Sequence, residues 1–377
     1  MRAAFARSGA KLVAGHAVVD APEPHALHTL SQSTGEPGLQ SFTWDRLVIA
    51  TGARERFLPF PGWTLPGVFG AGGLQALVKG GYPVTGKRVI VAGSGPLLLA
   101  VAAHLQVAGA TIVTVIEQST FKQLLPFAVG LCMHPSKLLQ GAAYRASIAA
   151  SSYQIGAWIQ SLEPSAYGLT ATVTNSGETW EEHCDLLACG FHLVPNTELA
   201  SLLGCNFADG CVTVDENQQT SVPGVFCAGE PTGIAGLDAA LVQGEIAGLA
   251  AAGSPRKTTA LAQKRAKEKT FGARLEKAFL LRPEFRKLAA QDTLVCRCED
   301  VPFSKLQNKT SWTEAKLQTR CGMGPCQGRI CGPAVQTLFG WQISSIRPPI
   351  FPVPVSAMCG NYISREATEI STLQETV

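Results

Sequence analysis

The chain has 377 residues, room for two or three domains with real cores. Hydrophobic residues make up 46% and charged residues 16%, which excludes an intrinsically disordered protein. The formal net charge is +3, from 31 basic and 28 acidic residues, so nothing electrostatic points to nucleic acid as the main partner.

Met1 to Gly15 lacks the long apolar core and small-residue cleavage site of a secretory signal, so a cytosolic location is expected. Lys11 to Val19 is apolar enough for a strand, and Ala21 to Gly38 is a polar excursion rich in Pro and Gly. Arg46 to Ala50 reads as a short buried strand that ends in Thr51-Gly52-Ala53. A small-residue turn straight after a parallel strand is where backbone approaches a ligand closely. Residues 54–86 read as loop.

Gly86-Lys87-Arg88 opens the most legible unit. Val89 to Ala92 is a strand, Gly93-Ser94-Gly95-Pro96 a glycine turn, Leu97 to Ala108 an apolar helix, and Thr111 to Ile116 a strand with Glu117 at its end. The nearly uncharged run from Val89 to Ile116 resembles a membrane span by hydropathy alone. The interrupting Gly-Ser-Gly-Pro, His104 and Gln106 favour a buried βαβ unit instead, since parallel strands are apolar on both faces. Such a turn offers backbone N–H groups and a helix N-terminus to phosphate oxygens. Glu117 stands where an acid binds ribose hydroxyls and repels a 2′-phosphate. Leu98 replaces the usual third glycine, so helix and strand are expected to pack less closely. NAD, another adenine nucleotide, or a scaffold role all remain open on these residues.

Further on, Ala166 to Thr174 with Asn175-Ser-Gly177 reads as a hairpin and Asp185 to Ala188 as a core strand. Val222 to Phe226 is a strand leading to Gly229-Glu230, followed by a small-residue helix from Gly236 to Ala252. Lys257 to Lys287 is charged and helical, and Pro348 begins an extended tail. His16, His104, His183 and His192 are isolated and read as structural or exposed.

Five of the twelve cysteines fall between 296 and 331: Cys296, Cys298, Cys321, Cys326 and Cys331. Cys132, Cys184, Cys189, Cys205, Cys211, Cys227 and Cys359 are scattered and read as small apolar residues. Disulfides are not the first reading in a cytosolic chain. An iron–sulfur cluster needs four converging thiolates. Cys296-Arg-Cys298 offers two from one turn, and Cys326 and Cys331 two more from a glycine-rich loop entering a helix. Gly322, Gly324 and Gly328 let backbone N–H groups turn towards sulfur, while Arg297, Arg320 and Arg329 add positive charge; both raise a reduction potential. Zinc is the main rival, because four thiolates also suit a tetrahedral ion.

Thr319-Arg-Cys-Gly-Met-Gly-Pro-Cys-Gln-Gly-Arg-Ile-Cys331, preceded by Val295-Cys-Arg-Cys-Glu-Asp300, resembles a bacterioferritin-associated-ferredoxin-like (BFD-like) [2Fe–2S] domain. Ala50-Thr-Gly-Ala-Arg-Glu-Arg56, Pro61-Gly-Trp-Thr-Leu-Pro-Gly67, Gly93 to Leu99 and Cys227 to Ile234 extend the resemblance. Together they resemble the larger subunits of opine oxidase, hydrogen cyanide synthase and heteromeric proline or hydroxyproline dehydrogenases. The resemblance favours Cys296, Cys298, Cys326 and Cys331 over Cys321 as ligands, and places Thr51, Gly52, Gly229 and Glu230 at FAD.

The implied fold is α/β: a flavoprotein with two dinucleotide-binding, Rossmann-like domains, plus a small α-helical [2Fe–2S] domain. The FAD domain is incomplete at its N-terminus, because no strand–GxGxxG–helix precedes residue 86. The expected division is 1–85 for the FAD-binding remnant, 86–195 for the second nucleotide domain and 196–255 for the returning FAD part. A helical linker at 256–290, the cluster domain at 291–345 and a tail at 346–377 follow. The implied activity is oxidation of a C–N bond of an amino acid or secondary amine, with electrons passing from flavin to cluster. The implied partners are a small ferredoxin-like subunit and a flavoprotein subunit of amine-oxidase type. The alternatives are a free-standing NADH-dependent reductase and a non-catalytic, metal-bearing assembly subunit.

Overall fold

The computed structural model describes residues 2–31, 38–254, 259–343 and 346–358. Its centre is a five-stranded, wholly parallel sheet. In spatial order the strands are Val68–Gly70, Leu186–Phe191, Arg88–Ser94, Thr111–Glu117 and Ser152–Ile155. Parallel neighbours need crossovers, which helices Ala71–Lys79, Leu97–Val107, Phe121–Leu131 and Pro135–Ser147 supply. Side chains alternate faces along each strand. Val89, Val91, Leu186 and Ala188 therefore meet the helices, with Leu74, Leu98, Val101 and Leu105. Ile90, Ala92, Leu187 and Cys189 meet the opposite face, beneath Leu162, Ala171 and Val173 of a three-stranded antiparallel sheet. Burial on both faces is why the glycine-turn unit has the hydropathy of a membrane span. Among the described residues, no helix is long and apolar enough to cross a membrane.

The unit begins earlier than residue 86. Strand Val68–Gly70 pairs with Leu187 to Cys189, and Ala71–Lys79 packs onto the same core, so this stretch expected as loop belongs to the second nucleotide unit. Its sequence signal is hidden because Gly70, Gly72 and Gly73 sit at the helix start. The helix N-terminus is held instead by the Glu55 carboxylate, which accepts from the N–H groups of Gly72 and Gly73. Leu98 does not point between strand and turn. Its side chain is 1% exposed and fills the helix-side core.

The first unit is smaller. Leu47–Ile49 pairs in parallel with Val225–Cys227, beside a meander of His16–Asp20, Ala26–Ser31 and Leu39–Thr43. The chain passes to the second unit along Ala53–Glu55 and returns along Leu193–Pro195, and these two strands pair with each other.

The linker is firmer than a tether. Helix Thr259–Ala278 lays Phe271 and the following Phe279 against Phe127. Phe285, 1% exposed, sits in the core with Phe191 and Trp158. The cluster unit follows: a hairpin of Leu294–Cys296 and Val301–Pro302, then helices Trp312–Thr319 and Cys331–Phe339 around a core of their own. At the start of the tail Ile350 is buried against Leu27 and Leu199, and its N–H reaches the Val19 carbonyl. Cys359 lies outside the described residues.

Candidate metal centre and nucleotide sites

The five clustered cysteines converge. The sulfurs of Cys296, Cys321 and Cys331 all lie within 4.8 Å of one another, and all three residues are buried. Cys326 reaches Cys331 on one side and Cys298 on the other. Cys298 is exposed. The residue that the family resemblance set aside, Cys321, is thus in the buried group, while Cys298 stands at the rim.

Backbone N–H groups point at the sulfurs. Gly322 and Glu299 donate to Cys296, and Ile330 and Gly328 to Cys326. With the thiols of Cys321 and Cys331, these bonds hold Cys296 far below the usual thiol range. Cys331 and the backbone donors likewise depress Cys326. Hydrogen bonding to Cys296 pushes Cys321 up to about 12 and raises Cys331 as well. A nest of thiols sharing protons at short range suits a thiophilic metal, which displaces those protons on binding. The buried group of Cys296, Cys321 and Cys331 is compatible with an iron–sulfur cluster, which is held on cysteine thiolates and carries one electron at a time.

By contrast, burial pushes Cys184 and Cys189 up to about 12, and both are free thiols. They are packing residues, as are Cys205 and Cys227. Cys132 is exposed, unlike the buried reading given to it from sequence.

The two flavin-side turns meet. Pairing of Leu47–Ile49 with Val225–Cys227 brings Thr51-Gly52 beside Gly229-Glu230. Glu230 lies 3.8 Å from where a Gly52 Cβ would stand, and it accepts from the Ala53 N–H. Burial raises its pKa. The Thr51 hydroxyl donates to the Asn196 carbonyl and the Asn196 amide donates back to the Thr51 carbonyl, which fixes the turn. Further along the chain, Arg56 Nε and His192 Nε2 are buried nitrogens with no hydrogen-bond partner among the described residues. Buried donors are rarely left so. The close approach of Glu230 to the Gly52 backbone would suit a flavin, which Thr51, Gly52 and Glu230 would hold. His192, read as structural or exposed from sequence, takes a left-handed φ of 72° here.

The flavin-side turn also touches the cysteine loop. Arg54 Nε donates to the carbonyl of Arg329, between Cys326 and Cys331, at 3.2 Å. Glu198 bridges the two arginines, 2.8 Å from Arg54 and 3.7 Å from Arg329. Arg54 stands two residues from Gly52. Sequence spacing gave no sign of this contact, which joins residues 275 apart.

The second glycine turn is arranged differently from an open cradle. Gly93 is required by the sheet, because a Cβ there would stand 1.9 Å from the Gly190 carbonyl oxygen. The Gly95 N–H donates to Glu117 at 2.8 Å, and so does the Ser119 N–H. Pro96 has no N–H to offer, and the Leu98 N–H is bonded to the Gly95 carbonyl. Glu117 is fully buried, and burial lifts its carboxyl to about 7. The linker then crosses the carboxyl ends of both strands. Ser94 Oγ donates to the Phe279 carbonyl, and Gln118 donates to Ser94 Oγ and the Leu280 carbonyl. Gln118 also accepts from the Arg282 N–H. Arg282 continues to the Gly156 carbonyl and lies 4.2 Å over the Trp158 ring.

These features define a two-nucleotide α/β oxidoreductase body carrying a thiolate nest. The sequence model described as pyridine nucleotide-disulphide oxidoreductase matches residues 5–253, and the chain belongs to that family. Hydrogen cyanide synthase subunit HcnB of Pseudomonas aeruginosa is 33% identical over 360 residues, covering 85% of this chain and 76% of that protein. An opine oxidase subunit of Rhizobium meliloti strain 1021 is 32% identical over 341 residues, covering 82% and 74%. The thioredoxin reductase of T. acidophilum superposes with a TM-score of 0.44 at 20% identity, over 70% of this chain and 78% of that one. The protein is a flavoprotein oxidoreductase of Rossmann-like fold.

Proposed function

We propose that this chain is the electron-transferring subunit of a complex that oxidises a C–N bond of an amino acid or secondary amine. One observation carries the reading: the flavin-side turn and the cysteine loop are hydrogen-bonded to each other through Arg54 and Arg329. Relatives named as subunits of hydrogen cyanide synthase and opine oxidase support the substrate class.

FAD supplies two-electron chemistry and a [2Fe–2S] cluster one-electron chemistry. The chain's residues do the positioning. Thr51 and Asn196 hold the turn rigid, and Glu198 fixes Arg54 against Arg329. Gly322, Glu299, Gly328 and Ile330 point N–H groups at the sulfurs and stabilise added negative charge there. Substrate chemistry belongs to a flavoprotein partner of amine-oxidase type, and a small ferredoxin-like subunit completes the relay. NAD or another adenine nucleotide at Gly93 to Glu117 is less well supported, because Glu117, Gln118 and the linker already engage the polar groups such a ligand uses.

The test is anaerobic reduction of the reconstituted complex. Bleaching of the cluster absorbance by glycine, proline or an opine, with none by NADH, is the expected result. Rapid bleaching by NADH would make this a reductase. Zinc without iron in the purified chain would make it an assembly subunit.

A further inference from the structure

We propose that Cys321 is a reserve ligand of the metal centre, able to take the place of Cys296 or Cys331 on the metal they share. The inference rests on the iron–sulfur reading above.

Two thiolates on one tetrahedral metal stand about 3.8 Å apart, given metal–sulfur bonds of about 2.3 Å. The Cys321 sulfur lies within 4.8 Å of both the Cys296 and the Cys331 sulfurs. It is fully buried, so no water competes for the position. Cys298 contacts Cys326 instead, at the exposed rim, so the reserve serves the buried end of the centre.

The backbone is shaped to bring Cys321 there. Arg320 has a left-handed φ of 65°, uncommon for a residue with a side chain, and Gly322 follows at φ 83°. A Cβ on Gly322 would stand 2.4 Å from the Trp312 ring, so the second left-handed position admits only glycine. Arg320 is pinned by Glu299, 2.6 Å away and one residue after Cys298. Arg320 also serves as the left-handed C-cap of helix Trp312–Thr319, so the tighter demand is the one at Gly322. A filler explains burial but not the approach to two ligand sulfurs.

The exchange balances simply. If Cys296 or Cys331 left the metal, its sulfur would take up the proton that the Cys321 thiol gives up on replacing it. No electrons move.

The experiment uses the full chain, reconstituted anaerobically with ferrous iron and sulfide. Iron and sulfide contents and the spin-resonance spectrum of the reduced cluster are measured for the parent, C321A, C296A, C331A, C296A/C321A and C331A/C321A. C321A should keep the parent's iron. C296A and C331A should each keep at least half of it, with altered g-values, while both double variants fall more than tenfold. Single variants as empty as the doubles overturn the inference and leave the cluster reading intact. Zinc without iron in the parent overturns both. Only variants with the parent's circular dichroism are scored. If neither C296A nor C331A folds, C296V and C331V, which keep the buried volume, are measured in their place with their C321A doubles. Iron retained in the single variants and lost in the doubles supports the inference, and single variants as empty as the doubles overturn it.

Discussion

At the scale of single residues, buried charges are the most readable feature. Glu117 has its carboxyl lifted to about 7 by burial. A folded pKa above the unfolded value gives stability that is full below about pH 4 and is lost as pH rises through 7. The loss between pH 5 and 7 is on the order of 2 kcal/mol. Thermal melting at pH 5, 6 and 7 should show this slope in the parent and a flatter one in E117Q. Equal slopes would remove Glu117 from the account. Glu198 is a second case, since it separates Arg54 from Arg329 with side-chain exposures of only 15–21% across the three. E198A leaves two arginines facing each other and should lower stability by about 1–3 kcal/mol, with E198Q losing less. A urea midpoint unmoved in E198A would show the bridge to be idle.

Among elements, the segment after helix Thr259–Ala278 decides how the cluster unit sits on the body. Phe285 is packed among Phe191 and Trp158. F285A should cost about 3–5 kcal/mol as a core cavity. L280A is the control: Leu280 is 63% exposed, so its truncation should stay within about 0.5 kcal/mol. Denaturant unfolding of both variants checks the pair. Similar midpoints would mean that the segment is a tether after all. Trp63 adds a second attachment, its indole N–H donating to the Leu294 carbonyl at the start of the cluster hairpin. This gives the Pro61-Gly62-Trp63 motif a role that spacing alone did not suggest.

For the whole molecule, the cysteine-rich unit has its own small core, built partly of the proposed ligands Cys296 and Cys331. Metal binding there would therefore be coupled to folding. Chelating the metal should raise amide exchange across residues 294–339 by at least tenfold and leave Arg88–Ser94 and Thr111–Glu117 protected. Uniform exchange changes would instead join the units into one cooperative body. The parallel sheet is independent because its core is hydrocarbon on both faces.

The sequence by itself determined the βαβ unit, the second sheet's hairpin, the cysteine nest and the family. Each rests on local signals: strand alternation, a glycine turn, or thiols close together in the chain. Strand Val68–Gly70 escaped because three residues carry too little periodicity, and helix Ala71–Lys79 because it is capped by Glu55 from another element. The cysteine-rich segment was legible as a set of five thiols, but the arrangement of those five was not. Only the fold places Cys321 among the buried sulfurs and Cys298 at the rim, because helix Cys331–Phe339 packs on the strand that carries Cys296. Likewise, only the fold joins Arg54 to Arg329 and lays Phe279 to Arg282 across the second glycine turn. Such contacts link groups far apart in sequence, and no local pattern encodes them.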